Sequence, residues 1–149
     1  FNLVDEFLAK PMIASGKLKA EQFFPFNGAN PQAVASYNRD LTANGGRIDI
    51  ALVSAGEDGH VAALFPRHPS FQNEESVFID FHESPKPPEH RMSASRKLLL
   101  KSETILLLVT GDAKQAAWEN YKNSSMKMEE CPAKLVDQVP SGFVFTDRK

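Results

Sequence analysis

The run from Ile48 to Ser54 constrains the fold of this chain more than any other segment. It is almost continuously apolar, as expected for a strand whose two faces are both covered by helices. Residues 56–60 follow it directly and read Gly-Glu-Asp-Gly-His. Open α/β sheets bind ligands beyond the carboxyl ends of their parallel strands. This turn is therefore the first candidate for a functional site.

The rest of the chain alternates between strand-like and helix-like patterns. Apolar runs predict further strands at 22–26, 77–81, 104–109 and 142–146, the first leading to an Asn27-Gly28 turn. Helical spacing predicts a helix at 3–8 that ends at Pro11, and capping signals predict another from Asn30-Pro31 to Gly45-Gly46. Further helices are predicted at 58–64, 93–100, 113–121 and 132–136. Strands that alternate with helices favour an α/β fold, a Rossmann-like parallel sheet flanked by helices. At 149 residues, we expect one domain spanning 1–149.

Composition excludes several classes of protein. The formal net charge of −2 disfavours general binding to nucleic acid or to an anionic membrane. No apolar stretch reaches the roughly 18 residues that span a bilayer. Cys131 is the only cysteine, so an internal disulfide is excluded and a reducing, cytoplasmic location is favoured.

His60 and Asp58 are the candidate catalytic residues. An imidazole titrates near neutral pH, so His60 can take a proton from water. Asp58 can orient that imidazole or stabilise its charged form, or it can act as a helix N-cap. Gly59 can let backbone approach a ligand closely, or it can only permit the turn.

Three cations are candidates for binding an anion. Lys86 and Arg91 lie in the proline-rich segment 84–91, which is predicted to form no regular structure, and arginine offers a two-pronged donor to phosphate. Lys114 falls in the first turn of a predicted helix, where its charge opposes the helix dipole unless an anion is near. The alternative for all three is ordinary solvated surface charge.

Other site motifs are absent from the sequence. It contains neither Gly-x-Gly-x-x-Gly nor a Walker loop, and no Gly-x-Ser-x-Gly elbow. His68, His82 and His90 have no metal-type spacing to carboxylates or to Cys131. We therefore expect neither a metal nor an organic cofactor.

Three segments together resemble the 6-phosphogluconolactonase family, within the wider glucosamine-6-phosphate isomerase/deaminase superfamily. Residues 49–66 resemble its central strand, catalytic turn and helix, residues 84–93 its proline-rich loop, and residues 107–114 its strand, turn and lysine. Asn2 and residues 145–147 are weaker matches. The resemblance implies the fold of that superfamily.

The resemblance also implies an activity, the hydrolysis of 6-phosphoglucono-δ-lactone to 6-phosphogluconate in the oxidative pentose phosphate pathway. His60 matches the general base of the family, and Asp58 lies in the same pocket. Arg91 and Lys114 match positions that hold the sugar phosphate, which gives both cations a dianionic partner. A phosphosugar lactone is then the expected small-molecule partner, and no metal or organic cofactor is needed.

Departures from the family pattern leave alternatives open. The deaminases carry a glutamate where this chain has Phe65, which disfavours but does not remove a glucosamine-6-phosphate isomerase/deaminase activity. The early strand and phosphate loop of the family have no match here, so we expect an incomplete copy with weak or no activity alone. A missing amino-terminal segment or a fused dehydrogenase would fit this expectation, as would a degenerate sugar-phosphate-binding module. Missing strands would leave exposed sheet edges and an apolar face.

Overall fold

The computed structural model describes residues 2–26, 30 and 32–149. Two compact units divide the chain, Phe1–Ala33 and Val34–Lys149. The single domain expected from length stays a prediction. The predicted Asn27-Gly28 turn and the helix start at Pro31 lie outside the described residues.

The first unit is helical over most of its described length. Helix α1 (Asn2–Val4) runs into a π-helical turn (Asp5–Ala9) and then into α2 (Lys10–Ala14). The prediction that Pro11 ends this helix is wrong, because Pro11 lies in the first turn of α2, where a missing N–H is tolerated.

A strand was also predicted in this unit, at 22–26, and that prediction is wrong. Ala20–Gln22 forms a 3₁₀ turn, and residues 23–26 have no regular structure. The described residues of this unit contain no strand with which such a segment could form a ladder.

The second unit contains a parallel sheet and an antiparallel hairpin. The sheet has the strand order β1-β4-β5, with all pairs parallel, and β2 pairs with β3 in the hairpin. The parallel α/β fold predicted from the sequence is confirmed. The strands are β1 (Ile50–Ser54), β2 (Phe78–Phe81), β3 (Arg91–Ala94), β4 (Thr104–Val109) and β5 (Ser141–Thr146).

Helices and 3₁₀ turns connect these strands. Gly45 and Gly46, both with positive φ, follow α3, as predicted. The helices are α3 (Ala33–Ala43), α4 (Arg96–Leu100) and α5 (Gln115–Lys122), and the 3₁₀ turns are Pro69–Gln72, Asp112–Lys114 and Pro132–Gln138.

Two helix predictions near the candidate site are wrong. Residues 58–64 form consecutive turns rather than a helix, with isolated bridges that join Val61 to Ala55 and to Leu64. Both Val61 and Leu64 are buried, so the chain doubles back to bury them. The helix predicted at 93–100 starts later, because β3 runs to Ala94 and the Ser95 hydroxyl caps α4.

The parallel sheet is packed on one face only. Ile105, Leu107 and Val109 of the central strand are 0–2% exposed and belong to the core. On the other face, Leu52 is 65% exposed and Phe143 is 52% exposed. Among the described residues, β1 and β5 are the edge strands of this sheet, so each has one open edge.

Among the described residues, the structure contains no helix with the length and apolarity that a membrane span requires.

Candidate active site

The candidate site lies at the carboxyl ends of the parallel strands. β1 ends at Ser54 and leads into the turn of residues 56–60, and β4 ends at Val109 before the turn at Gly111. A cavity of about 550 Å³ opens there. It is lined by Ser54, Ala55, Gly56, Glu57, His60, Lys86, Pro87, Arg91 and Lys114.

His60 and Asp58 form a close pair at this cavity. The His60 Nδ1 atom lies 2.5 Å from Asp58 Oδ1, and the backbone N–H of His60 donates to the same oxygen at 3.3 Å. The side chains are 20% and 34% exposed, respectively. The pair is therefore held between the core and the cavity, with a route to solvent.

The ionisation of Asp58 fixes the direction of this hydrogen bond. Burial alone would raise the pKa of Asp58, but hydrogen bonds from His60 and the positive charge of Lys86 hold it below its ordinary value. An ionised carboxylate can only accept, so Nδ1 of His60 carries the donated proton. In the neutral imidazole, Nε2 is then the acceptor.

The two glycines of the turn have different roles. A Cβ on Gly56 would lie 2.0–2.7 Å from atoms of the His60 ring, so only glycine leaves room for the imidazole. Gly59 has φ of +86°, and a Cβ there would lie 2.9 Å from the Cys131 Sγ atom. Gly59 is buried behind the turn and does not line the cavity, which supports a role in the turn. Its contact with a ligand stays a prediction.

Phe65 supports the imidazole from the protein interior. Its ring is 1% exposed, and its centroid lies 4.7 Å from that of His60. The side chain has no group that can exchange a proton. Phe65 therefore provides only apolar packing beside His60.

Lys86 and Arg91 reach the cavity from the β2–β3 hairpin. Lys86 Nζ lies 3.5 Å from Asp58 Oδ2. Arg91 Nη2 donates to the Pro87 carbonyl at 2.5 Å, which ties the guanidinium to the proline-rich loop. The Arg91 Nε atom is buried and has no hydrogen-bond partner among the described residues.

Lys114 approaches the cavity from the turn after β4. This turn is braced from β5, because the Gly111 N–H donates to both carboxylate oxygens of Asp147 at 3.0 and 3.1 Å. Arg148 in turn pairs with Asp112 at 2.6 Å and with Asp147 at 2.7 Å. The end of β5 thus fixes the loop that presents Lys114.

The structure brings together five of the six residues that the sequence singled out. His60, Lys86, Arg91 and Lys114 line the cavity, and Asp58 contacts two of them.

Two supporting residues were given no role in the sequence analysis. Asp147 lay only in a weakly matching segment, and Cys131 had no local signal for its place behind Gly59. Cys131 is fully buried in the core, and this burial raises the pKa of its thiol.

Together, the fold and site define an α/β protein with a histidine–aspartate pair and three cations around a cavity at the end of its parallel sheet. The sequence model of the family described as glucosamine-6-phosphate isomerases/6-phosphogluconolactonase matches residues 2–144. The chain belongs to this family.

Curated relatives carry the lactonase name. The 6-phosphogluconolactonase of Borreliella burgdorferi is 34% identical over 149 residues, which cover 99% of this chain and 62% of that protein. The human 6-phosphogluconolactonase is 35% identical over 68 residues, or 46% of this chain and 26% of that protein. The chain thus spans about three fifths of the length of its Borreliella relative.

Solved structures support the fold. The 6-phosphogluconolactonase of Thermotoga maritima superposes with a TM-score of 0.71 at 22% identity, covering 89% of this chain and 59% of that chain. A monomeric glucosamine-6-phosphate deaminase gives a TM-score of 0.75 at 20% identity, covering 100% of this chain and 64% of that chain. The shared fold by itself does not choose between the two activities.

Proposed function

We propose that this chain carries the catalytic turn of a 6-phosphogluconolactonase, which hydrolyses 6-phosphoglucono-δ-lactone to 6-phosphogluconate in the oxidative pentose phosphate pathway. The observation that carries the proposal is the His60–Asp58 pair at a cavity lined by three cations. The names of the curated relatives support the same activity. A cytoplasmic location remains a prediction from the single cysteine.

His60 is the general base in this proposal. Asp58 holds the Nδ1–H, so Nε2 is left to take a proton from a water molecule. The resulting hydroxide attacks the C1 carbonyl of the lactone. The same proton then passes to the ring oxygen as the C1–O bond breaks, which returns His60 to its starting state.

Lys86, Arg91 and Lys114 bind the anionic substrate. A phosphate dianion in the cavity would accept hydrogen bonds from their charged donors, and charge-assisted bonds of this kind are the stronger class. Because these side chains and His60 line the same cavity, binding of the phosphate positions the lactone near His60. No metal or organic cofactor is required by these steps.

A second candidate is an isomerase or deaminase of the same family, which the fold also allows. The buried Phe65 ring beside His60 disfavours it, because that position lacks a group able to exchange a proton. A non-catalytic sugar-phosphate-binding module is a third candidate.

Lactone hydrolysis by the 149-residue chain tests the proposal. The lactone is generated by a dehydrogenase just before the assay, and the rate is corrected for spontaneous ring opening. We expect slow hydrolysis above background that His60→Ala abolishes, because a general base contributes about 10²–10⁴-fold. Binding of 6-phosphogluconate should survive in His60→Ala.

Binding of 6-phosphogluconate supplies the control. Lys114→Ala should weaken it at least about tenfold, since a charged hydrogen bond is lost. Lys101→Ala removes an exposed lysine outside the cavity and should leave binding unchanged. Hydrolysis that persists in His60→Ala would refute the mechanism. A folded chain that binds 6-phosphogluconate without hydrolysing the lactone would favour the binding module.

A further inference from the structure

A second cluster of side chains that can ligate a metal lies at the loop end of the β2–β3 hairpin. The Asp80 carboxylate and the imidazoles of His82 and His90 have ligand atoms that all lie within 4.8 Å of one another. None of the three lines the cavity described above. The spacing argument missed this cluster because it considered distances along the chain and not pairing across a hairpin.

Strand geometry explains why the three side chains meet. Asp80 and His82 are two residues apart, so an extended chain turns both side chains to the same side. In the hairpin register, Phe81 is opposite Arg91. The next pair outward places His82 opposite His90. The two imidazole rings accordingly stack in parallel, with centroids 4.2 Å apart and an interplanar angle of 6°.

The donor set has a definite chemical preference. We propose that Asp80, His82 and His90 bind one first-row divalent transition metal ion, with zinc(II) as the preferred ion. Two imidazole nitrogens and one carboxylate oxygen suit zinc, whereas magnesium and calcium prefer oxygen ligands alone. Solvent water would complete the coordination shell.

The side chains must rotate to hold such an ion, because the two stacked imidazole rings do not yet point at one centre. Zinc–nitrogen bonds of about 2 Å in a tetrahedral shell place neighbouring ligand atoms about 3.3 Å apart. His90 Nε2 and Asp80 Oδ2 are already 3.4 Å apart. Both side chains are partly exposed, at 34% and 47%, so rotation about their side-chain bonds can close the remaining distances.

A bound ion would link the two strands at the loop end of the hairpin. It would join the end of β2 to the start of β3 and so restrict residues 82–90, the loop that carries Lys86. An ion that binds only the folded state stabilises that state, as any such ligand does. The inference goes beyond the proposed function and does not depend on it.

Zinc binding by the full chain tests the proposal. Isothermal titration calorimetry with zinc chloride should give one saturable site, and cobalt(II) should show absorption bands of bound ion. His82→Ala and His90→Ala should each weaken binding at least about tenfold, because even loss of a supporting partner costs a metal site that much. Zinc should also raise the thermal unfolding midpoint of the unaltered chain, but not that of a His82→Ala/His90→Ala double variant.

His60→Gln is the matched control, since it removes an imidazole from the other site and should leave zinc affinity unchanged. Circular dichroism would verify that every variant folds. Zinc affinity that is equal in the His82→Ala/His90→Ala double variant and the unaltered chain would overturn the proposal. So would binding that depends on His60 instead, or an absence of saturable binding up to about 1 mM.

Discussion

Asp58 determines what His60 can do. Its carboxylate is ionised and lies 2.5 Å from Nδ1, so the imidazole presents Nε2 as its basic atom. The Phe65 ring packs against the imidazole, and Gly56 leaves the space that the imidazole occupies. Position, orientation and proton location of one side chain therefore depend on three neighbours.

Asp58→Asn should uncouple this pair. An amide can donate as well as accept, so it no longer enforces a proton on Nδ1. We expect the share of His60 with an unprotonated Nε2 to fall, measured by nitrogen NMR of the ring. Lactone hydrolysis should fall about a hundredfold or more.

Asp49→Asn makes the same chemical change at an exposed carboxylate and serves as the control for this substitution. An Asp58→Asn chain with the original ring tautomer and rate would show that Asp58 only shapes the turn.

At the scale of elements, the end of β5 controls a turn that is distant in sequence. The Asp147 carboxylate accepts from the Gly111 N–H, and Arg148 bridges Asp147 and Asp112. Hydrogen bonds from Arg148 and then from Gly111 lower the pKa of Asp147 to about 2. This network holds the loop that presents Lys114.

Asp147→Asn should therefore destabilise the fold in a pH-dependent manner. A carboxyl whose folded pKa lies below its unfolded value stabilises the fold above the unfolded pKa, and this contribution is lost as pH falls towards about 2. The difference in unfolding free energy between the variant and the unaltered chain should be largest near neutral pH and shrink in acid. Urea unfolding at several pH values measures it.

Asp49→Asn again provides the control for Asp147→Asn and should give a smaller difference from the unaltered chain. A difference for Asp147→Asn that grows in acid would contradict this assignment.

At the scale of the whole molecule, the parallel sheet is covered on one side. Its open face carries Ile50, Leu52, Phe143 and Phe145, each more than half exposed. Register places Leu52 beside Leu106 and Leu106 beside Phe143, so these side chains form a continuous apolar row. An apolar sheet face with free edges favours self-association.

The 149-residue chain should therefore associate as its concentration rises. Leu52→Lys in the open face should reduce association, measured by sedimentation or light scattering, because a charge there opposes burial. Ala43→Lys adds the same charge at an exposed helix position and should change association less. A chain that stays monomeric at high concentration, or equal effects of both substitutions, would contradict the prediction.

The sequence was sufficient to predict strands and turn residues that depend on a local pattern of side chains. Apolar runs predicted β1, β4 and β5 to within two residues. The expectation that helices cover both faces of the first strand was wrong, because Ile50 and Leu52 are each 65% exposed. The turn of residues 56–60 could be recognised as a candidate site because glycine, carboxylate and imidazole are adjacent in the chain. Lys86, Arg91 and Lys114 were predicted from their chemistry and a family resemblance, and the structure places them around the same cavity.

Local patterns failed where tertiary packing overrides them. Residues 58–64 have helix-compatible spacing, but burial of Val61 and Leu64 bends them into turns. The sequence predicts an irregular loop up to Arg91 and a helix from Ser93, but pairing with β2 makes Arg91–Ala94 a strand.

The sequence by itself determined the parallel α/β class, the family and most of the residues around the cavity. Only the tertiary structure decided that Asp147 braces Gly111 and that His82 meets Asp80 and His90. The reason is physical: adjacency along the chain is written in the sequence, whereas contacts across strands depend on register and on which apolar groups the whole fold can bury.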